Sequence, residues 1–279
     1  MALPSPPFVA VPGIFNFRDI GGYPVASRPG FLLRPGLVFR SGDPSAVTPD
    51  GLALLRDRLG LAAVFDLRSH AEVQRSEHLV PAGLAALRRP VPVFPERDYG
   101  PEAIAVRFSQ YASEDGVAGF LAANRAILDT GTESFRAVML HLAAEDPRPL
   151  LVNCTAGKDR TGVTCALILS LCGVADHLVA HDYGLTELGL AEKKEEFLDR
   201  LQMMPRFKDD REGARRMLGS RPENIHALLD SIRKDYGSVE EYLMTKCRLT
   251  AQEIDSIRRN LVVEASSVGD VALPEAPAS

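Results

Sequence analysis

Apolar residues fall in short, dense runs through the first half of the chain and in helical periods through the second. The segments 37–40, 62–67, 87–93 and 149–154 are rich in β-forming residues and predict strands. Ala-Ala-Val-Phe-Asp-Leu at 62–67 and Leu-Leu-Val at 150–152 lack the polar alternation of a half-wetted strand. They predict central strands covered on both faces. Thr48-Pro49-Asp50 places a capping side chain before a proline in the first turn, opening a helix to about Leu59. Residues 116–130 and 133–144 repeat apolar positions at helical spacing. Strands alternating with helices predict an α/β fold around a mainly parallel sheet.

Beyond Thr161 the pattern turns almost wholly helical, to about Arg259. Candidate helices span 160–171, 176–190, 192–203, 222–236, 239–246 and 251–263. Ser238 and Thr250 precede Glu241 and Glu253 at the spacing of a capping box. Residues 1–12 read as a flexible lead-in, 13–263 as a single domain, and 264–279 as a disordered tail. Within the domain, 185–221 is charged yet carries Leu188, Phe197, Leu201 and Met204, which suits a helical lid over a pocket. Its basic part, with Arg211, Arg215 and Arg216, reads either as an attraction for polyanions or as a solvated helix face.

Composition narrows the function. The 279 residues are 46% hydrophobic and 25% charged, enough for a full core. A formal net charge of −5 argues against nucleic acid as a partner, since phosphate backbones need a basic surface. No apolar stretch is long enough for a membrane-spanning helix, and 1–12 lacks the pattern of a secretory signal, so no stable membrane insertion is expected. Cys154, Cys165, Cys172 and Cys247 form no Cys-x-x-Cys pair, which excludes a disulfide framework and a zinc ribbon and points to the cytoplasm. His177 and His181 share a helix face but have no third ligand nearby, so neither a metal nor another cofactor is expected.

The informative segment is Leu150-Leu-Val-Asn-Cys-Thr-Ala-Gly-Lys-Asp-Arg-Thr-Gly162. An apolar strand runs into a small glycine-bearing loop and then into a helix, leaving Cys154 at the mouth of a loop whose amides converge near a helix start. Such a loop attracts anions, and its electropositive surroundings favour a thiolate. Arg160 is placed to fold back and offer a bidentate fork to phosphate oxygens. The Cys-x5-Arg spacing therefore supplies nucleophile, amide cradle and clamp for phosphoryl transfer. Asp159, inside the loop, is the candidate acid, and Lys158 adds positive charge. A nucleotide-binding Walker loop is excluded, because Gly157-Lys158 is followed by Asp159 rather than Ser or Thr. Arg18, Asp19, Arg40, Asp66 and Arg68 are candidates for pocket support, with Asp66 the second candidate acid. Plain structural ion pairing explains them as well.

The loop resembles that of the atypical, bacterial-type tyrosine phosphatases, the PtpB-like and LipA-like family, whose loop reads His-Cys-x-x-Gly-Lys-Asp-Arg-Thr-Gly. The resemblance extends to Asn16-Phe-Arg-Asp-Ile-Gly-Gly-Tyr23, Val38-Phe-Arg-Ser-Gly42, Val64-Phe-Asp-Leu-Arg-Ser69 with Glu72, Tyr236-Gly-Ser-Val-Glu-Glu-Tyr-Leu243 and Leu249-Thr-Ala-Gln-Glu-Ile254. It implies a phosphatase fold of fungal or bacterial type, with Cys154 as nucleophile through a phosphocysteine and Arg160 as phosphate ligand. Asp159 would be acid and base, and Lys158 would touch a phosphate oxygen or a further substrate charge. Thr155, Ala156, Gly157 and Thr161 complete the expected phosphate-binding loop. The family's histidine before the nucleophile is Asn153 here, a supporting position. The implied substrate is a phosphorylated protein, foremost phosphotyrosine, with dual specificity or a phosphoinositide next. A phosphatase of small-metabolite phosphates or pyrophosphates, and a catalytically weak phosphate-binding pseudophosphatase, stay open as alternatives.

Overall fold

Successive residues of the apolar runs point to opposite sides of one sheet. Val38, Ala63, Phe65, Leu150 and Val152 enter one buried cluster, while Phe39, Val64 and Leu151 enter another. Both faces are therefore covered, as the missing polar alternation requires. The computed structural model describes residues 3–95 and 100–268. Its strands are β1 (Arg18–Asp19), β2 (Phe31–Leu33), β3 (Val38–Ser41), β4 (Ala63–Asp66), β5 (Arg88–Pro90), β6 (Leu150–Asn153) and β7 (Val262–Glu264). The main sheet has the order β1-β3-β6-β4-β5, parallel except for β1, and β2 pairs antiparallel with β7. In register, Ser41 and Asp66 flank Asn153, so three strands end together at one carboxyl edge. Ligands of open α/β sheets bind beyond that edge.

Helices α1 (Pro49–Ala53), α2 (His70–Gln74) and α3 (Ala82–Ala85) lie between the early strands. Helices α4 (Pro101–Tyr111), α5 (Gly116–Thr130) and α6 (Thr132–Leu142) precede β6. After it come α7 (Asp159–Leu171), α8 (Asp176–Gly184), α9 (Thr186–Gly189), α10 (Lys194–Gln202), α11 (Arg211–Leu218), α12 (Pro222–Tyr236), α13 (Val239–Thr245) and α14 (Ala251–Leu261). Helix α7 is buried on nearly every side, with α5, α8 and α13 packed on it, which explains its unbroken apolar composition. It is the post that holds the loop after β6.

Several expectations are corrected. Residues 3–12 are not a loose lead-in: Phe8 and Val11 are buried, and Phe8 bridges to Arg18. The last helix stops at Leu261, because the β-branched Val262 and Val263 pair with Leu33 and Leu32. The span 176–190 is two helices broken at Leu185. Helix α4 was not anticipated, since its apolar residues face a satellite cluster rather than the sheet, and α11 is the helical part of the expected 185–221 lid. That cluster joins Phe108 and Ala112 to Leu198, Leu201, Phe207, Ala214 and Leu218. Residues 269–279 of the expected tail lie outside the described residues. Among the described residues no helix is long and apolar enough to cross a membrane.

Candidate active site

The loop from Cys154 to Lys158 is shaped by what grips its carbonyl oxygens. The Asp43 amide donates to Thr155 O (3.1 Å), Asn16 Nδ2 to Ala156 O (3.0 Å), and Arg40 Nη2 to Gly157 O (2.9 Å). A trans peptide sets its N–H opposite its C=O, so the following amides point away from these partners. Among the described residues, the N–H groups of residues 155–159 donate to no protein acceptor. Gly157 makes the bend possible: its φ is +67°, and a Cβ there would lie 2.4 Å from the Ser41 carbonyl. Unpartnered amides leading into the start of α7 are an arrangement that attracts an anion, and Cys154 opens the same loop.

Arg160 arrives already oriented. Its two terminal nitrogens donate to Glu72 Oε2 and Oε1, each at 2.7 Å, a bidentate charge pair. Glu72 also accepts from the Thr155 hydroxyl (2.6 Å) and the Ser69 amide (2.9 Å). Burial alone would raise the Glu72 carboxyl, but Arg160 and these donors hold it well below the usual carboxylate range. Glu72 is the N3 residue of a capping box on α2, opened by Ser69. Ser-x-x-Glu after a strand was a readable helix signal, whereas its partnership with Arg160 was not.

Beneath the loop lies a buried ionic cluster. Asp182 of α8 pairs with Arg18 at 3.1 Å and with Arg40, and all three side chains are at most 1% exposed. Arg18 also donates to Asn16 Oδ1, so Asn16 is held from one side while it grips the loop from the other. Burial would raise the Asp182 carboxyl, but Arg40 and Arg18 keep it low. Asn16 and Asp182 were missed as supports; α8 mixes Asp176, His177 and His181 with its apolar residues, so nothing in its sequence marked Asp182 as the buried one.

Above the loop is a cavity of about 250 Å³, lined at its floor by Cys154, Thr155, Ala156, Lys158, Asp159 and Arg160 with Glu72. Its walls are apolar and aromatic. Phe94 and Ile127 line one part, Ile104, Phe108 and Tyr111 of α4 another, and Phe197, Leu201, Met204, Met217 and Leu218 from the 185–221 span the rest. Arg75, Arg107 and Arg200 add positive charge. Asp159 opens α7 and accepts from the Tyr183 phenol at 3.2 Å. Lys158 Nζ turns away from the cradle toward the end of α11, donating to the carbonyls of Met217 and Gly219 (3.0 Å for the second). It lies 4.7 Å from the Phe120 ring centroid and 3.5 Å from Asp159 Oδ1. Burial pulls this ammonium below the ordinary lysine value, and Asp159 opposes the shift.

Not every expected supporting residue comes to the cavity. Asp66 does not line it: it is 1% exposed and accepts from Arg68 (2.7 Å), Arg88 (3.0 Å) and Asn153 (3.3 Å). Its lone pairs are spent, so it is no alternative acid. Arg68 is buried between Asp66 and Asp43 and is likewise structural. Asp19 supports a different turn, accepting from the Gly21 and Gly36 amides (2.8 and 2.5 Å). Arg40 reaches the loop from below rather than through the pocket. Thr161 is fully buried and does not line the cavity, and its hydroxyl has no partner among the described residues. Asn153 anchors to Asp66 through Nδ2, while its Oδ1 is buried without a partner among the described residues. The basic stretch is paired with carboxylates of the same 185–221 span: Arg206 meets Asp210, Arg211 meets Glu195 of α10, and Arg215 meets Glu212.

Chemistry at phosphorus needs a nucleophile, donors for the oxygens and a fixed cation, and a fold that gathers them at a sheet's carboxyl edge around a thiol makes this chain a cysteine-dependent phosphatase. The model of the tyrosine phosphatase family matches residues 9–263, and the chain belongs to that family. It is 31% identical over 265 residues to the triple specificity protein phosphatase PtpB of Mycobacterium tuberculosis, covering 84% of this chain and 91% of that one. A putative tyrosine-protein phosphatase of Cupriavidus necator is 28% identical over 233 residues, 82% of this chain and 80% of that protein. A tyrosine-protein phosphatase of Nostoc commune is 29% identical over 140 residues, 46% and 44% of the two chains.

Proposed function

We propose that the protein hydrolyses aryl phosphomonoesters, phosphotyrosine of proteins foremost, through a phosphocysteine on Cys154. The observation that carries this reading is the single cavity in which Cys154 and the pre-set Arg160 form the floor and aromatic side chains form the walls. Cys154 Sγ attacks phosphorus; Arg160 and the loop amides hold the equatorial oxygens. As the P–O bond to the leaving group breaks, Asp159 gives its proton to the departing oxygen. Water then attacks the phosphocysteine, losing a proton to the same carboxylate and returning the thiolate with inorganic phosphate.

Phosphotyrosine is favoured by the aromatic walls that would flank its ring; with the covering helices closed, Lys158 donates to the carbonyls at the end of α11. The 185–221 span acts as a lid together with α4, and must move for substrate to enter. All four cysteines are free and buried, which suits a reducing compartment such as the cytoplasm. The test is turnover of p-nitrophenyl phosphate in excess EDTA, with inhibition by vanadate. Cys154→Ser should abolish turnover while keeping the fold; activity surviving that substitution would overturn the reading.

A further inference from the structure

Helix α8 sends two consecutive side chains to the site from beneath. Asp182 holds the arginines under the loop, while Tyr183 reaches the carboxylate of Asp159. Tyr183 is 1% exposed and does not line the cavity, so it cannot touch a substrate. Its phenol donates to Asp159 Oδ1 at 3.2 Å, and Lys158 Nζ approaches the same oxygen at 3.5 Å. Among the described residues no hydrogen bond falls on Oδ2. The two oxygens of the carboxyl group are thus made unequal by the fold.

The ring has a reserved seat. Gly162, in the first turn of α7, lies against it so closely that a Cβ there would sit 2.7 Å from Tyr183 Cδ2. The glycine that ends the Asp-Arg-Thr-Gly run therefore has a steric reason: α7 must begin without a side chain where the tyrosine packs. Burial, with the Asp159 charge adding to it, pushes the Tyr183 phenol well above its ordinary value, so it stays an O–H donor throughout the working range.

We propose that Tyr183 is the positioning residue of the general acid, fixing Asp159 so that Oδ1 accepts the phenol's hydrogen bond and the transferable proton resides on Oδ2. The inference rests on Asp159 being the acid, as proposed above. In the first half-reaction the Sγ–P bond forms, the P–O bond breaks, and the Oδ2 proton passes to the leaving oxygen. Without the phenol the proton distributes over both oxygens and the carboxyl turns more freely, so transfer loses its alignment.

The test compares leaving groups. Burst rates of phosphocysteine formation are measured for Tyr183→Phe with p-nitrophenyl phosphate and with phenyl phosphate, beside Asp159→Asn. p-Nitrophenolate departs with little need of a proton, so its burst should fall by no more than about threefold. Phenolate needs the proton, and its burst should fall by about tenfold or more, with KM for both substrates unchanged. Gly162→Ala, which pushes the ring from its seat, should give the same leaving-group pattern. Equal losses on both substrates, or none on either, in a folded Tyr183→Phe protein would overturn the positioning role while Asp159→Asn still shows the steep pattern. A flat response of Asp159→Asn itself would remove the acid assignment and this inference with it.

Discussion

At the scale of single residues, Glu72 carries two duties with one carboxylate: it caps α2 and it pre-sets Arg160. Removing its charge takes away the bidentate pair that sets the guanidinium. Glu72→Gln should lower kcat for p-nitrophenyl phosphate by about 10- to 100-fold, the cost of a misplaced clamp. The same group makes a pH prediction. Its folded-state value lies below the unfolded one, so its stabilisation is full above the unfolded value of about 4.3 and fades as pH falls below it. The gap in Tm between wild type and Glu72→Gln should be widest near neutrality and should shrink in acid below about pH 4. A gap that instead widened in acid would mean the carboxylate is not held by Arg160. Cys154, Asp159 and Arg160 could be singled out from spacing alone. Glu72 could be placed in a motif, but its role depended on a contact across 88 positions.

At the scale of elements, the loop is a joint product of three segments: the chain before β1, the end of β3, and α8. Asp182 of α8 is the shared counter-charge for Arg18 and Arg40, with no water access to replace it. Asp182→Asn leaves two buried guanidiniums without a compensating charge and should cost about 3–5 kcal/mol in urea denaturation. Loss of only a few tenths would show that the cluster is not a supporting element. Helix α7 was legible because its apolar run follows a strand and a glycine loop. Helix α8 was legible as a helix, but not as a support. Nothing in a periodicity records which buried acid faces which arginine.

At the scale of the whole molecule, the satellite core of α4, α10 and α11 is separate from the two cores of the sheet. Phe207 is its fully buried centre. Phe207→Ala should remove about 3–5 kcal/mol from that cluster. The effect should be local: amide exchange in α10 and α11 should accelerate while β6 and α7 keep their protection. Uniform loss of protection across both regions would mean that the covering helices and the sheet unfold as one unit. The apolar residues of 197–204 suggested this cover from the sequence, yet its other wall, α4, did not stand out. An amphipathic helix reads clearly when its partner is a sheet already inferred, and poorly when its partner is another short, charged helix.

What the chain determines by itself is local: central strands from unbroken apolar runs, helix starts from caps and prolines, and a strand–loop–helix in which Gly157 must bend and Cys154 and Arg160 must stand six positions apart. Those features follow from chain geometry and solvent exclusion over a dozen or so residues. What only the tertiary structure decides is which distant groups meet. Arg160 finds Glu72 across 88 positions, Arg40 finds Asp182 across 142, and Arg18 finds Asp182 across 164. It also decides that Asp66 is enclosed among arginines rather than facing the cavity, and that Lys158 turns to the end of α11 rather than into the cradle. Such choices depend on competition among many equally charged partners for the same few acceptors, and burial in three dimensions is what breaks the tie.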